Sequence, residues 1–346
     1  GKIETPWLPG RAEECKWIAE RDWLYAVPFK VTQPQVAAQL RFQGLDTIVD
    51  VYLNGKQIAS HANMYLPLDV IGESRFSDAE IRTRLLNPRG DISAESVVPA
   101  RVTNSRFSGR VSLDVQQPEL WWPRGYGKQP LYRVETSLLI QGRTHQTVAH
   151  TVGFRRVTMP RKLHFVVNGV PVRLWGGDWV TPHWMTPVWD QPRVEKLFAL
   201  AEHANFNAFR VWGVVESPRD DFYELADSRG FLLWQDFTDL PLSDDATSID
   251  ICRAEATQTI KRLKHHPSII VWCGGNESAM WHHQEYDGRL RDRGDWPGLV
   301  AANAVGDICN RMDPDRYYQP SSPYYGIDPN DPQEGNTHGY TNMWFV

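Results

Sequence analysis

The stretch "SIIVWCGGNES", Ser268 to Ser278, joins an apolar run to a group of polar residues. Its apolar part does not alternate with polar residues, which predicts a β-strand buried on both faces. Strands of this kind form parallel sheets covered by helices, and ligands bind where such strands end. We therefore expect Asn276 and Glu277, which follow the strand directly, to lie at a binding or catalytic site.

The sequence around this stretch alternates between strand and helix patterns from about residue 161 onward. The predicted strands are "VRLWGG" (172–177), "FNAFRVWG" (206–213), "FLLWQDF" (231–237), "SIIVWCGG" (268–275) and "YYQPSS" (317–322), with a sixth near 336–346. The predicted helices are "RVEKLFALAEHA" (193–204), "DDFYELADSR" (220–229, ended by Gly230), "SIDICRAEATQTIKRLKHH" (248–266) and "LVAANAVGDICNRM" (299–312). This order predicts a parallel barrel. An open doubly wound sheet is the alternative, although no glycine-rich phosphate loop follows any strand.

The residues before 161 show the alternation of apolar and polar residues that predicts antiparallel β-strands. Residues 1–95 carry alternating strands, and Asn54-Gly55 predicts a tight hairpin between two of them. The polar stretch 87–109 predicts a boundary, and residues 96–160 carry a second set of strands whose spacing suits a small sandwich. The chain therefore divides into 1–95, 96–160 and 161–346.

Composition excludes some partners and suggests others. A net charge of −5 without a basic cluster argues against nucleic acid, and the apolar runs are shorter than the roughly 20 residues of a membrane span. The first residues lack the apolar region of a signal peptide, so secreted, periplasmic and cytoplasmic locations all stay open. The four cysteines lack metal-type spacing and are expected to be buried thiols. The 15 tryptophans suit either sugar-ring platforms or large sandwich cores.

Polar and aromatic residues close each predicted barrel strand, where they would share one pocket. The candidates are Asp178, Trp179, Arg210, Trp212, Asp236, Asn276, Glu277 and His338. Partial desolvation beside Trp272 and Trp281 would raise the pKa of Glu277, as a general acid requires. Asn276 offers a donor and an acceptor, and His338 could donate to a sugar hydroxyl. Carboxylates, amides and aromatic rings without a metal cluster are typical of a glycosidase pocket.

Each of these motifs also has a structural interpretation. Asn276-Glu277 could cap the next helix, and Arg210 could be a buried arginine paired with Asp236 or Glu216. The pair His265-His266 is expected to be the solvated end of a helix rather than a ligand pair. Asn276-Glu277-Ser278 matches the N-glycosylation pattern, but a strand end inside a pocket is a poor acceptor.

Several segments together resemble glycoside hydrolase family 2, most closely its β-mannosidase branch. They are "ECKWIAERDWLYAVPF" (14–29), "LRFQGLDTIVDVYLNGKQIASHANMYLPLDV" (40–70), "LWWPRGYGKQPLY" (120–132), "RLWGGDWVTPHW" (173–184), "NAFRVWGVVESPRDDFYELADSRGFLLWQDF" (207–237) and "HHPSIIVWCGGNES" (265–278). The resemblance implies a jelly-roll-like, sugar-binding-type β-sandwich (1–95), an immunoglobulin-like sandwich (96–160) and a TIM barrel (161–346), of which strands one to six are predicted here.

The resemblance also implies a function. Glu277 would be the general acid/base of a retaining exo-β-glycosidase, most closely a β-mannosidase, and Asn276 would contact the sugar 2-hydroxyl. Asp178, Trp179, Arg210, Trp212, Asp236 and His338 would line the terminal-sugar subsite. The substrate would be an oligosaccharide or glycoside, with no cofactor and no metal. The family's nucleophile ends strand seven, which would lie beyond Val346, so the remainder of the same enzyme would complete the barrel.

Two alternatives remain at this point. An exo-β-glucosaminidase or another family 2 β-glycosidase would share the same pattern. A carbohydrate-binding relative without catalytic activity would keep the pocket and lack the second carboxylate.

Overall fold

The structure is a computed structural model, and it describes most of the 346 residues. The described ranges are 22–30, 39–42, 45, 48–62, 68–71, 78–103, 106–182, 189–214, 217–238, 245–280, 299–324, 328–331, 333 and 335–339. Among these residues, the helices are all too short or too polar to cross a membrane.

The first strands form two antiparallel pairs. Strand β1 (Gln39–Phe42) pairs with β4 (Leu68–Ile71), and β2 (Val49–Leu53) pairs with β3 (Lys56–His61). Asn54 and Gly55 connect β2 to β3 with φ values of 51° and 79°. Positive φ at both central residues is what a type I′ turn requires, so the predicted hairpin is confirmed.

A four-stranded antiparallel sheet follows in the order β10-β9-β5-β6. Its strands are β5 (Ala79–Leu86), β6 (Ile92–Pro99), β9 (Tyr132–Ile140) and β10 (Arg143–Val152). Two smaller antiparallel sheets are formed by β7 (Arg101–Thr103) with β8 (Arg106–Ser108), and by β11 (Val157–Arg161), β12 (His164–Val167) and β13 (Val170–Val172). The polar stretch 87–109, where the sequence predicts a boundary, contains β6, β7 and β8. Residues 95 and 96, between which the sequence predicts a domain boundary, therefore both lie within strand β6.

The region after residue 175 contains a five-stranded parallel sheet in sequence order. The strands are β14 (Gly176–Trp179), β15 (Ala208–Val211), β16 (Leu232–Asp236), β17 (Ile269–Cys273) and β18 (Tyr317–Gln319). Helices α1 (Gln191–His203), α2 (Asp220–Arg229), α3 (Ala246–Leu263) and α4 (Leu299–Met312) lie between them in the chain. The predicted alternation is confirmed for these elements. Of the predicted sixth strand, residues 340–346 lie outside the described ranges, and residues 335–339 form only an isolated bridge from Asn336 to Tyr324.

The first parallel strand lies later in the chain than the sequence predicts. "VRLWGG" was expected to form it, but Val172 ends β13, which pairs with β12 through a turn at Asn168-Gly169. Both turn residues have positive φ, 49° and 84°. This second Asn-Gly hairpin uses the residues that a longer β14 would need, so β14 begins only at Gly176.

Sequence signals fix the ends of three helices. Asp190 and Asp245 accept hydrogen bonds from the backbone N–H groups of Arg193 and Ser248, which caps the first turns of α1 and α3. Helix α2 ends at Gly230 in the left-handed conformation, as predicted from the sequence.

Side-chain alternation along the parallel strands builds two cores. Phe209 and Val211 face the helices, where they join Phe198 and Phe222, while Ala208 and Leu232 belong to the cluster around Trp121 on the other face. All five residues of β17 are buried, which confirms a strand covered on both sides.

The sandwich region is attached near the beginning of β17. The indole nitrogen of Trp121 donates to the carbonyl oxygen of Asp227 at 2.8 Å. The guanidinium of Arg155 donates to the carbonyl oxygens of Pro267 and Ile269 at 2.8 and 2.7 Å. Burial lowers the pKa of Arg155 to about 9. These contacts lie at the opposite end of the strand from Asn276 and Glu277.

The expectation of a solvated His265-His266 pair is wrong for His266. His266 is buried, and its Nδ1 lies 2.6 Å from Oδ2 of Asp227 in α2. The ring of His265 packs against His266 and against His150 of β10. The pair follows the end of α3 where the sandwich region meets the barrel, and this contact buries His266 fully and His265 in part.

Candidate functional site

A cavity of about 770 Å³ opens where the parallel strands end. Its walls combine charged, amide, aromatic and aliphatic side chains. The lining residues are Leu174, Gly176, Gly177, Asp178, Val180, Ala208, Phe209, Arg210, Trp212, Trp234, Asn276, Glu277, Ser322, Asn336, Thr337, His338 and Gly339. Its volume lies within the range of small-molecule and sugar-sized binding sites.

Arg210 is the central cation of the cavity wall. Its Nη2 donates to Oδ2 of Asp236 at 2.7 Å and to Oδ1 of Asn276 at 2.8 Å. Its Nη1 lies 3.9 Å from Oδ1 of Asp178 and 3.4 Å from Nε2 of His338. Burial acts to lower the pKa of Arg210, but the adjacent Asp236 carboxylate outweighs it and holds the pKa above its usual value. The guanidinium is therefore permanently charged and holds three neighbouring strand ends together.

Asp236 lies behind Arg210 rather than on the cavity wall. Its side chain is fully buried and accepts hydrogen bonds from the backbone N–H of Gly213 at 3.2 Å and the indole of Trp234 at 3.0 Å. Because Asp236 is the last residue of β16 and Arg210 lies in β15, the pair is formed across adjacent parallel strands. Arg210 is thus paired with Asp236, as its structural interpretation expects, and it also lines the cavity, as its functional interpretation expects. Glu216, the other expected partner, lies outside the described residues.

The segment after β17 is shaped by close backbone contacts. A Cβ atom on Gly274 would lie 2.2 Å from the carbonyl oxygen of Pro320, so only glycine fits there. The backbone N–H of Glu277 donates to the carbonyl oxygen of Ser322 at 2.7 Å, and Ser322 donates back to Gly275 at 3.0 Å. Glu277 has a φ of 57°, which is uncommon for a residue with a side chain.

The side chain of Glu277 points to His338. Its Oε1 lies 2.8 Å from Nδ1 of His338, and the two side chains are 13% and 15% exposed. Nε2 of His338 lies 3.1 Å from Oγ of Ser322. Glu277 is thus a partly desolvated carboxyl group inside the cavity, held by a neighbouring imidazole.

The structure brings most of the predicted site residues together. Six of the eight line the cavity: Asp178, Arg210, Trp212, Asn276, Glu277 and His338. Trp179 does not, because it follows Asp178 in β14 and points to the opposite face, where it packs against Phe198 and Phe222.

The predicted tryptophan environment of Glu277 is wrong for Trp272. Trp272 is fully buried on the helix side of the sheet, and its indole donates to Asp313 at 2.9 Å. Trp281 lies outside the described residues.

Trp234 and Ser322 are among the cavity residues that the sequence prediction missed. Trp234 precedes Asp236 by two positions, so the period of a β-strand places both on the same face and could have identified it. Ser322 follows β18 and carries no chemical signature of its own. Within the described ranges, groups of three His, Cys, Asp or Glu side chains arranged to hold a metal are absent.

Three family models match successive parts of the chain, and the first two overlap. They describe a glycosyl hydrolase 2 galactose-binding domain-like region (residues 1–85), glycosyl hydrolases family 2 (47–155) and the family 2 TIM-barrel domain (161–292). The predicted fold class, two β-sandwiches followed by a TIM barrel, is confirmed by these matches.

Curated relatives include two fungal proteins named β-mannosidase B. The Aspergillus terreus protein is 26% identical over 467 residues, covering 99% of this chain and 55% of the relative. The Aspergillus clavatus protein is 30% identical over 322 residues, covering 86% of this chain and 37% of the relative. The chain thus spans about half the length, or less, of these relatives.

Solved structures share the fold. A β-D-mannosidase from Dictyoglomus thermophilum superposes with a TM-score of 0.83 at 23% identity, covering 99% of this chain and 56% of that one. A β-glucuronidase from Bacteroides uniformis gives a TM-score of 0.67 at 18% identity, covering 83% and 45%. These two structures show the fold alone. The three family models, all of glycosyl hydrolases family 2, together match residues 1–155 and 161–292, and the chain therefore belongs to glycosyl hydrolases family 2.

Proposed function

We propose that the protein hydrolyses a terminal β-linked sugar from a glycoside with retention of configuration, and that Glu277 is its general acid/base. The observation that carries this proposal is the convergence of Glu277, Asn276, Arg210 and Asp178 on one cavity at the carboxyl ends of the parallel strands. That edge of a TIM barrel is where catalytic groups are found.

Glu277 has the surroundings that a general acid/base requires. The carboxyl group is mostly shielded from water and contacts His338, so it occupies one defined position. In the first step it protonates the glycosidic oxygen of the leaving group, and in the second it removes a proton from the attacking water.

Asn276 is oriented by Arg210. A guanidinium only donates hydrogen bonds, so the Asn276 atom that faces Nη2 of Arg210 is the carbonyl oxygen Oδ1. The amide NH₂ is therefore directed elsewhere, and we propose that it donates to a hydroxyl of the bound sugar. Hydrogen bonds to the 2-hydroxyl that strengthen in the transition state are a general source of glycosidase catalysis.

A retaining mechanism needs a second carboxylate roughly 5 Å from the first. Among the described residues, Asp236 is unsuited to this role because it is fully buried and held by Arg210, Gly213 and Trp234. Asp178 lines the cavity but lies beside the Arg210 cation, which suits a sugar-binding carboxylate. We propose that the nucleophile comes from outside the described residues.

The sugar proposed for the terminal position is mannose. The support for mannose is that the curated relatives described above are named β-mannosidase B. The solved structures, which include β-glucuronidases, support the fold and not the choice of sugar. Aryl β-glycosides of mannose, glucose, galactose, glucuronic acid and glucosamine, assayed with the complete protein, test this choice. The highest kcat/KM should be for the mannoside. Preference for the glucosaminide would favour an exo-β-glucosaminidase, and binding without turnover would favour a carbohydrate-binding relative.

A further inference from the structure

We propose that His338 is a positioning residue held as the neutral Nδ1–H tautomer, which donates to Oε1 of Glu277 and so assigns the transferred proton to Oε2. The catalytic consequence rests on the proposed role of Glu277, whereas the tautomer itself follows from the hydrogen bonds around His338. Those bonds form a chain whose direction can be worked out atom by atom.

The direction is set first at a backbone amide. The N–H of Tyr324 lies 3.1 Å from Oδ1 of Asn336, and a backbone N–H can only donate. Oδ1 also accepts from Nε2 of Gln319 at 2.9 Å. The Asn336 side chain is therefore fixed with its oxygen towards Tyr324 and its NH₂ towards Ser322, where Nδ2 donates to Oγ at 2.7 Å.

Ser322 transmits this direction to the imidazole. Its Oγ accepts from Asn336 and still carries a hydrogen, and we infer that it donates this hydrogen to the neighbour at 3.1 Å, which is Nε2 of His338. A ring nitrogen that accepts a hydrogen bond carries no proton. The proton of the neutral ring then resides on Nδ1, which faces Oε1 of Glu277 at 2.8 Å.

Arg210 sets the same direction independently. Its Nη1 lies 3.4 Å from Nε2 of His338, and this group is a donor and a cation. A proton on Nε2 would point at that positive charge, so the site opposes the Nε2–H tautomer. Among the residues that the structure describes, the other charged groups facing this region are Asp178 and Asp236, which lie 3.9 and 2.7 Å from Arg210, and Glu277 itself.

The two oxygens of Glu277 therefore have different tasks. Oε1 accepts the Nδ1–H bond, which favours the ionised carboxylate, so the proton that passes to the leaving group is carried by Oε2. A fixed donor on one oxygen also stops the carboxyl group from rotating between steps. His338 acts through Glu277 rather than on the substrate.

Neutron diffraction from crystals of the complete protein grown in heavy water tests the tautomer without reference to activity. We expect deuterium on Nδ1 of His338 and a bare Nε2. Deuterium on Nε2, alone or together with Nδ1, would overturn the proposal. The arrangement at Glu277 is read from the same map, so the result is independent of whether the protein cleaves glycosides.

Variants test the catalytic consequence through the alkaline limb of the pH profile of kcat/KM, which reports the loss of the acid's proton. His338→Ala removes a donor to the ionised carboxylate, so the limb should move upward by about 0.5 to 1 pH unit. His338→Asn, which can place an N–H near the position of Nδ1, should restore most of the shift.

Asn336→Asp keeps the shape, replaces the N–H that faces Ser322 by an acceptor and adds a negative charge. Both changes should move the limb in the same direction although His338 is intact. The exposed His203→Asn serves as the control and should leave the profile unchanged. An unmoved limb in His338→Ala and Asn336→Asp, with full turnover, would overturn the positioning role. A limb that moves only in variants with a lowered unfolding midpoint would do the same.

Discussion

Arg210 and Asp236 form an ion pair across adjacent parallel strands, with 2.7 Å between Nη2 and Oδ2 and the carboxylate fully buried. Arg210 forms part of the cavity wall with Asp236 directly behind it, and the same Nη2 also donates to Asn276. One guanidinium thus links the stability of the sheet edge to the orientation of a proposed sugar-binding amide. The two roles can be separated by substitution.

Replacing Arg210 by Met leaves the Asp236 carboxylate buried without its counter-charge. Removal of one partner of a buried pair is expected to lower the free energy of unfolding by about 3 kcal/mol. We expect no larger loss because the hydrogen bonds from Gly213 and Trp234 still stabilise the carboxylate. Urea denaturation measures the change. Asp178→Asn is the matched control, since Asp178 is 56% exposed and 3.9 Å from Arg210, and it should cost less than about 1 kcal/mol. The double variant Arg210→Met, Asp236→Leu should regain part of the loss; no recovery would contradict the uncompensated-charge explanation.

Glu277→Gln tests the proposed acid/base role in the complete protein. The amide cannot donate the proton that a poor leaving group needs, so kcat/KM for an alkyl or disaccharide glycoside should fall by about 10²- to 10⁴-fold. A nitrophenyl or dinitrophenyl glycoside departs without that proton and should be affected far less in the first step. Steady-state kinetics over a series of leaving groups supplies the comparison, and equal losses across the series would count against the role.

Gly274→Ala tests the backbone packing that supports Asn276 and Glu277. The new Cβ would lie 2.2 Å from the carbonyl oxygen of Pro320, so the segments after β17 and β18 must separate. We expect a loss of about 2 kcal/mol or more in the free energy of unfolding, together with reduced turnover. Gly339→Ala, where nothing lies within 4 Å of the added carbon, should change stability by less than about 0.5 kcal/mol. Similar denaturation midpoints for the two variants would show that the close approach is unimportant.

His265 should make the protein less stable in acid. Burial, helped by the neighbouring His266 and His150, lowers its pKa to about 3. The imidazole of the unfolded chain takes up a proton near pH 6.5, so between about pH 6.5 and 3 the unfolded state binds more protons. Stability must therefore fall as the pH falls through that window.

His265→Gln removes this contribution, so the loss in urea midpoint between pH 7.5 and 4.5 should be smaller than in the unsubstituted protein. The exposed His203→Gln is the control and should follow the unsubstituted protein. Identical pH dependences for His265→Gln and the unsubstituted protein would contradict the assignment.

The parallel sheet was predictable because its strands are buried on both faces. The uninterrupted apolar run at 269–273 and the helix at 299–312 could be placed within a residue or two. The start of β14 could not be predicted in the same way. The hairpin at Asn168-Gly169 pairs β13 with β12, and this pairing assigns Val172 to β13 rather than to the parallel sheet. Likewise, the polar stretch 87–109 carries no clear strand signal, and the pairing of β6 with β5 decides that residues 92–99 form a strand.

The candidate site was predictable at the level of which residues gather at one edge. The prediction for Trp179 is wrong because neighbours along a strand point to opposite faces, so Asp178 and Trp179 cannot both face the cavity. The contact between Glu277 and His338 joins residues 61 positions apart, and Ser322 carries no distinguishing residue type. Such contacts depend on how the segments after β17 and β18 approach each other, which no local pattern specifies.

The backbone amide of Tyr324 lies at the start of the hydrogen bonds that reach Glu277. Every amino acid except proline provides the same N–H. A substitution of Tyr324 by any of them therefore keeps the donor that sets the direction of these hydrogen bonds. Substitutions here can therefore change the aromatic side chain while the main-chain N–H, and with it the proposed orientation of the proton on Glu277, is kept.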